Sequence, residues 1–136
     1  MPTQKTYIAR SLLQPDNHAL LLFDQQYLQL LTMRSHDATL AVHATALLAK
    51  GANLLGVKTL LTTAFSSVQA LIKDVQSVFS EQTPIDRTTL NAFEDERVVS
   101  WVANTDHKTL ALAGLWTESF LAMSALSAIS AGNTVA

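Results

Sequence analysis

Three strand-like runs constrain this chain more than anything else in it: the continuous apolar ALLLFD (19–24), the β-branched-rich VKTLLTTAF (57–65) and the apolar KTLALAGLW (108–116). None shows the alternation of a strand with one wet face. Each therefore reads as a strand covered on both faces, as in a parallel sheet. TPIDR (83–87) supplies a short third strand between the second and the last of these runs. Parallel strands need crossovers, and helical patterns fill the gaps between the runs. The alternation predicts βαβ units with right-handed connections.

The first helical pattern is DATLAVHATALLAKG, with Leu40, Ala44, Leu47 and Leu48 on one face and Gly51 as its stop. The cleanest periodicity is SSVQALIKDVQSVF (66–79), where Val68, Leu71, Ile72, Val75 and Phe79 form a stripe and Ser66 or Ser67 stands as cap. EDERVVSWVANTD (94–106) predicts a helix burying Val98, Trp101 and Val102, and a small-residue helix over 118–131 precedes Gly132. NTVA (133–136) reads as the first half of one more strand. With no repeats or linkers, residues 1–136 are expected to form one domain.

Composition excludes several function classes. The formal net charge is -2 with no basic block, so nucleic acid is not the expected partner. There is no cysteine, hence no disulfide, thiolate metal site or sulfur nucleophile. Glu118 and several hydroxyl residues interrupt the most apolar window, 109–131, so a membrane span is not expected. The polar start, MPTQKTYIARSLLQPDNH, does not read as a signal peptide, and a cytoplasmic protein is expected. His18, His36, His43 and His107 lack ligand spacing, so neither metal nor cofactor is expected.

In open α/β sheets ligands bind outside the carboxyl ends of the strands. Asp24 ends the first strand, the loop DRTTLNAFED (86–95) follows the third, and WTES follows the fourth. An acid, a cation and helix N–H groups at one edge are the parts of a hydrolytic site.

LLLFDQQ, VKTLLTTAF, TTLNAFED and KTLALAGLWTESFLAMSALSAISAG together resemble the isochorismatase-like cysteine hydrolases, in order and spacing from about residue 12 to the C-terminus. The resemblance implies a doubly wound parallel α/β sheet of Rossmann type in three layers, here truncated after the fourth to fifth strand. It implies a triad of Asp, Lys and Cys. The Asp position falls on Asp24, the Lys position on or near Arg87, and the Cys position on Phe120. It further implies binding positions at Asn91, Trp116, Thr117 and Ser119, and a non-proline cis peptide within Leu115–Trp116–Thr117.

A phenyl ring is no nucleophile, and a guanidinium stays protonated and cannot shuttle a proton. A homologue impaired in hydrolysis is the reading that follows. An active hydrolase of amides, esters or vinyl ethers with altered residues, and a non-enzymatic oligomeric protein, are the alternatives. Asp24 is either a working base or an acid that caps a turn or pairs with Arg87. Ser119 as substitute nucleophile lies one helical position, about 100°, from the Cys position. Thr117 suits an N-cap, and Glu118 suits a helix dipole. The expected partners are a small-molecule ligand and further copies of the chain. The fourth strand is an edge unless residues 133–136 pair with it. An exposed edge and a bare helix would favour a dimer through Met123, Leu126 and Ile129, unless Thr6–Leu13 folds over the gap.

Overall fold

A computed structural model describes residues 12–136. The elements are β1 (His18–Phe23), α1 (Tyr27–Thr32), α2 (Ala38–Leu54), β2 (Lys58–Ala64), α3 (Lys73–Gln76), β3 (Ile85–Arg87), α4 (Glu96–Asn104), β4 (Thr109–Gly114), α5 (Ala122–Ser130) and β5 (Thr134–Val135). A 3-10 turn, Ala92–Glu94, precedes α4, and a wide π-type turn, Thr117–Leu121, precedes α5. The strands form one parallel sheet in the order β3-β2-β1-β4-β5. The segment Thr6–Leu13, offered above as a cover, lies almost wholly outside the described residues.

β1 is the middle strand and explains the apolar runs. Ala19, Leu21 and Phe23 enter the core against α4 and α5, while Leu20 and Leu22 enter the core against α2 and α3. Side chains alternate across the sheet, so a strand sandwiched between helix layers is apolar on both faces along most of its length. β5 pairs with β4, Thr109 opposite Thr134 and Leu110 opposite Val135, so β4 is not the edge strand. Met123, Leu126 and Ile129 on α5 are exposed. No described helix is long and apolar enough to cross a membrane.

Three expectations need correction. α2 packs on the sheet through Ala46, Ala49 and Ala52, and its leucines Leu40, Leu47 and Leu48 face outward. The helix has two apolar faces, and the sheet beneath it, already filled by Leu20, Leu22 and Leu61, accepts the small one. Gly51 does not end α2. The helix runs to Leu54 and closes at Gly56, whose φ of 71° suits the left-handed position that L side chains avoid. The Gly56 and Val57 N–H groups bond back to Asn53 and Ala52, the two bonds of a Schellman cap.

The third correction concerns 66–79, where only Lys73–Gln76 is helical and Val68 lies exposed. Ser66 is no helix cap; its N–H donates to Asp86 instead. Tertiary hydrogen bonds hold the segment out of the helix. Gln26 pairs with Leu71 as an isolated bridge, its Nε2 donates to the Gln69 carbonyl, and Ile72 N–H donates to the Gln25 carbonyl. These bonds take up the backbone groups that the first turns of the expected helix would have used.

Candidate functional site

The three positions marked by the resemblance converge at the carboxyl edge of the sheet. Asp24 follows β1 directly, Arg87 is the last residue of β3, and Phe120 lies in the turn after β4. Two parallel pairings, β1 with β2 and β2 with β3, bring Arg87 across to Asp24. Gly114 lets β4 lie close here, because a Cβ on it would sit 3.1 Å from the Cβ of Phe23.

Asp24 is completely buried and held in two parallel hydrogen bonds, Arg87 Nη1 to Oδ1 at 2.6 Å and Nη2 to Oδ2 at 2.7 Å. Nη1 also donates to Thr62 Oγ1 at 3.0 Å and to the Thr63 carbonyl at 3.1 Å, and Nη2 to the Leu90 carbonyl at 3.3 Å. Arg87 Nε is buried without a partner. Burial pushes the Asp24 carboxyl above its ordinary value; the Arg87 hydrogen bonds and charge oppose this without cancelling it, and the Asp86 charge adds to it.

Phe120 is 3% exposed. Its ring stacks on Trp116, with centroids 5.4 Å apart and planes 15° from parallel, and the Arg87 guanidinium carbon lies 6.0 Å from its centre. The ring thus neighbours both the indole and the guanidinium of the buried ion pair. Burying a phenyl contributes about 1.5–3 kcal/mol, and an aromatic pair adds about 0.5–1.5 kcal/mol. The contact to Arg87 is at the outer limit, about 6 Å, for attraction between a cation and a ring face.

The expected cis peptide is absent from the described residues. Trp116 instead takes left-handed angles, φ 54° and ψ 63°, and the chain enters the wide turn Thr117–Leu121 from there. Phe120 N–H and Ser119 N–H both reach the Trp116 carbonyl, and the indole N–H donates to Thr32 Oγ1 at 3.0 Å. Asp24 and Phe65 also have positive φ, so the turns after β1, β2 and β4 all carry left-handed residues at this edge. Each such non-glycine residue costs on the order of 1–3 kcal/mol and persists only where its surroundings hold it.

The other expected binding positions divide. Trp116 and Thr117, with Glu118, Arg34, His36 and Leu40, line a cavity of about 650 Å³ to whose wall neither Asp24, Arg87 nor Phe120 contributes. The Ser119 hydroxyl donates to the Trp116 carbonyl at 3.3 Å. Asn91 is committed internally: Oδ1 caps the 3-10 turn at Phe93 N–H, and Nδ2 donates to Ser127. Among the described residues no group of three or more His, Asp or Glu side chains is placed to hold a metal ion.

Sequence reasoning missed Gln26, Thr62 and Gln29. Buried Gln26 clamps the end of β2, accepting from Ala64 N–H and donating to the Ala64 carbonyl. Its position two residues after a strand-end acid is the one sequence signal for it. Gln29 is fully buried with both amide atoms unpaired, and no sequence signal marks it.

No protein-family model and no curated protein matches the sequence. Solved structures do. The YcaC gene product of Escherichia coli, described as an octameric hydrolase of unknown specificity, is 31% identical over 90% of this chain and 62% of its own, with a TM-score of 0.83. YcaC from Pseudomonas aeruginosa is 29% identical over 92% of this chain and 63% of its own, with a TM-score of 0.84. The chain therefore spans less than two thirds of the length of either. An isochorismatase from Pseudomonas putida KT2440, 14% identical over 99% of this chain and 76% of its own, shares the fold with a TM-score of 0.74. The strand order and the likeness to these structures show that the chain has the isochorismatase-like α/β fold.

Proposed function

We propose that this chain keeps the isochorismatase-like scaffold without the cysteine-dependent hydrolysis that the resemblance implies. Phe120, packed over the Asp24–Arg87 pair, carries the reading. A phenyl ring has no lone pair to attack a carbonyl, and its volume fills the place where a reacting carbon would sit. Asp24 has a hydrogen bond from Arg87 on each oxygen, which leaves it poorly placed to accept a proton from a nucleophile. Arg87 stays charged through any neutral-pH cycle. What remains of the triad is an ion pair that joins β1 to β3, covered by an aromatic stack.

The test is turnover by the purified full chain on amide, carbamoyl, ester and vinyl-ether substrates. The expected result is a rate equal to buffer. Turnover that Asp24→Asn abolishes would overturn the reading in favour of an altered but active hydrolase.

We also infer that the chain assembles with copies of itself. The octameric description of the E. coli YcaC supports this, as do the exposed apolar residues of α2 and α5. Sedimentation velocity across the micromolar range tests it, and a monomer throughout would refute it.

A further inference from the structure

Resting on that self-association, we propose that α2 is the self-docking surface, pairing antiparallel with the α2 of a second copy. The helix has 17 residues, and Lys50 is the one charged residue among them. A surface helix normally carries charge on its outer face, and one that is apolar all round belongs in an interior. The core takes Ala46, Ala49 and Ala52. Outward run Leu40, Ala44, Leu47, Gly51 and Leu54, at steps of four, three, four and three, the spacing of a seam between packed helices. Their leucines are 67%, 73% and 86% exposed, flanked by exposed Leu48 and Leu55.

Gly51 indicates the occupant. Glycine inside a helix weakens it relative to alanine, so a close approach is the usual reason for one. Within this chain there is none, since a Cβ built on Gly51 meets nothing within 4 Å. A second helix crossing there would use the missing Cβ. A two-fold axis between Leu47 and Leu48 sets Ala44 against the partner's Gly51 and Leu40 against the partner's Leu55. Small residues then meet at the crossing and leucines close its ends. Lys50 comes opposite the partner's Thr45, so no like charges meet.

The area is also sufficient. The five leucines expose more surface than three whole leucine residues, already the upper end of the roughly 300–600 Å² patch a monomer carries. Against the roughly 800 Å² per partner of a standard interface, the leucines alone offer the larger share. Leu40 and Ala44 also form part of the wall of the cavity beside Trp116, so a second copy seated on the ridge borders that cavity.

The experiment is sedimentation velocity on the full-length chain and three variants, Leu47→Glu, Gly51→Gln and Leu126→Glu, with thermal melts to confirm folding. All three positions point away from the core, so the fold should survive. Leu47→Glu and Gly51→Gln are each expected to weaken self-association by about tenfold or more, and Leu126→Glu to leave it within about threefold. In a Trp101→Phe background, Trp116 emission should shift with concentration in the parent and not in the Leu47→Glu variant. An oligomer that resists both α2 variants and dissociates with Leu126→Glu would overturn the α2 assignment while leaving self-association intact. A wild-type monomer at every concentration would overturn both, as it would if another segment of the chain covers the ridge.

Discussion

Removing the guanidinium while keeping most of its bulk, as in Arg87→Met, tests what the buried pair does. The variant leaves the Asp24 carboxylate in a site with no solvent access. It also takes the donor from Thr62 Oγ1 and from the Thr63 and Leu90 carbonyls. Breaking one side of a buried pair costs about 3–5 kcal/mol, chiefly because the surviving charge is uncompensated. A domain of this size holds about 5–15 kcal/mol in all, so the loss would be a large fraction of the total. Urea unfolding at neutral pH should show it as a lower midpoint at unchanged slope. The pH dependence separates charge from packing. Without Arg87, burial raises the Asp24 carboxyl unopposed, and the folded state binds a proton more tightly than the unfolded chain. The variant should therefore regain stability as pH falls from neutral towards the ordinary Asp value of 3.8. The double variant Asp24→Asn/Arg87→Met should be more stable at neutral pH than Arg87→Met alone. A cost below about 1 kcal/mol, the range of an exposed pair, with no recovery at low pH, would refute this account of the site.

Two further predictions concern the surroundings of the pair. Phe120→Ala should cost about 3–5 kcal/mol as a buried aromatic truncation and shift Trp116 emission to the red as its stacking partner is lost, measured by chemical unfolding and fluorescence. Asp95→Ala should cost about 1 kcal/mol by removing the N-cap of α4, where the carboxylate accepts from Arg97 N–H at 2.9 Å. The hydrogen bond to the Arg97 side chain, first among its causes, holds the Asp95 carboxyl below its ordinary value. Burial works against the lowering at Asp86, and the Ser66 and Thr63 hydrogen bonds overcome it. Both acids contribute stability that is complete above about pH 3.8 and is lost as pH falls below it, so the acid limb of a pH–stability curve should be shallower in the Asp95→Ala variant.

The fold class was legible because a strand covered on both faces is predominantly apolar or β-branched with no wet face, and β1, β2 and β4 each show this separately. ALLLFD shows it directly, and the turn residues before it and the acid after it mark its ends. The α4 helix was legible for a related reason: Val98 and Val102 recur at helical spacing and are buried, while the Asp95 cap at its start and the partial exposure of Trp101 came only from the structure. Asp24, Arg87 and Phe120 could be named from the sequence, and the fold brings them to one edge of the sheet. That Asp24 and Arg87 form a two-pronged pair is a matter of strand order, since 63 residues separate them in the chain.

Tertiary structure decided what local pattern left degenerate. Helical periodicity states which residues share a face but not which of two apolar faces the sheet will accept; in α2 the alanines went in and the leucines stayed out. Periodicity also assumes that the backbone is free to bond to itself. In residues 66–79 it is not, because Gln25 and Gln26 reach across from the turn after β1 and take backbone partners at Gln69 and Ile72. The stripe from Val68 to Phe79 was real as a pattern and yielded one helical turn. The same holds at the turn after β4, where a residue before the helix had to be strained and the sequence could not say how. The left-handed Trp116, stacked on Phe120 and bonded to Thr32, relies on contacts from a residue 84 positions away. Composition and period act along the chain and are readable there. Choice of face, capture of backbone groups and support of strain depend on atoms that only the folded sheet brings together.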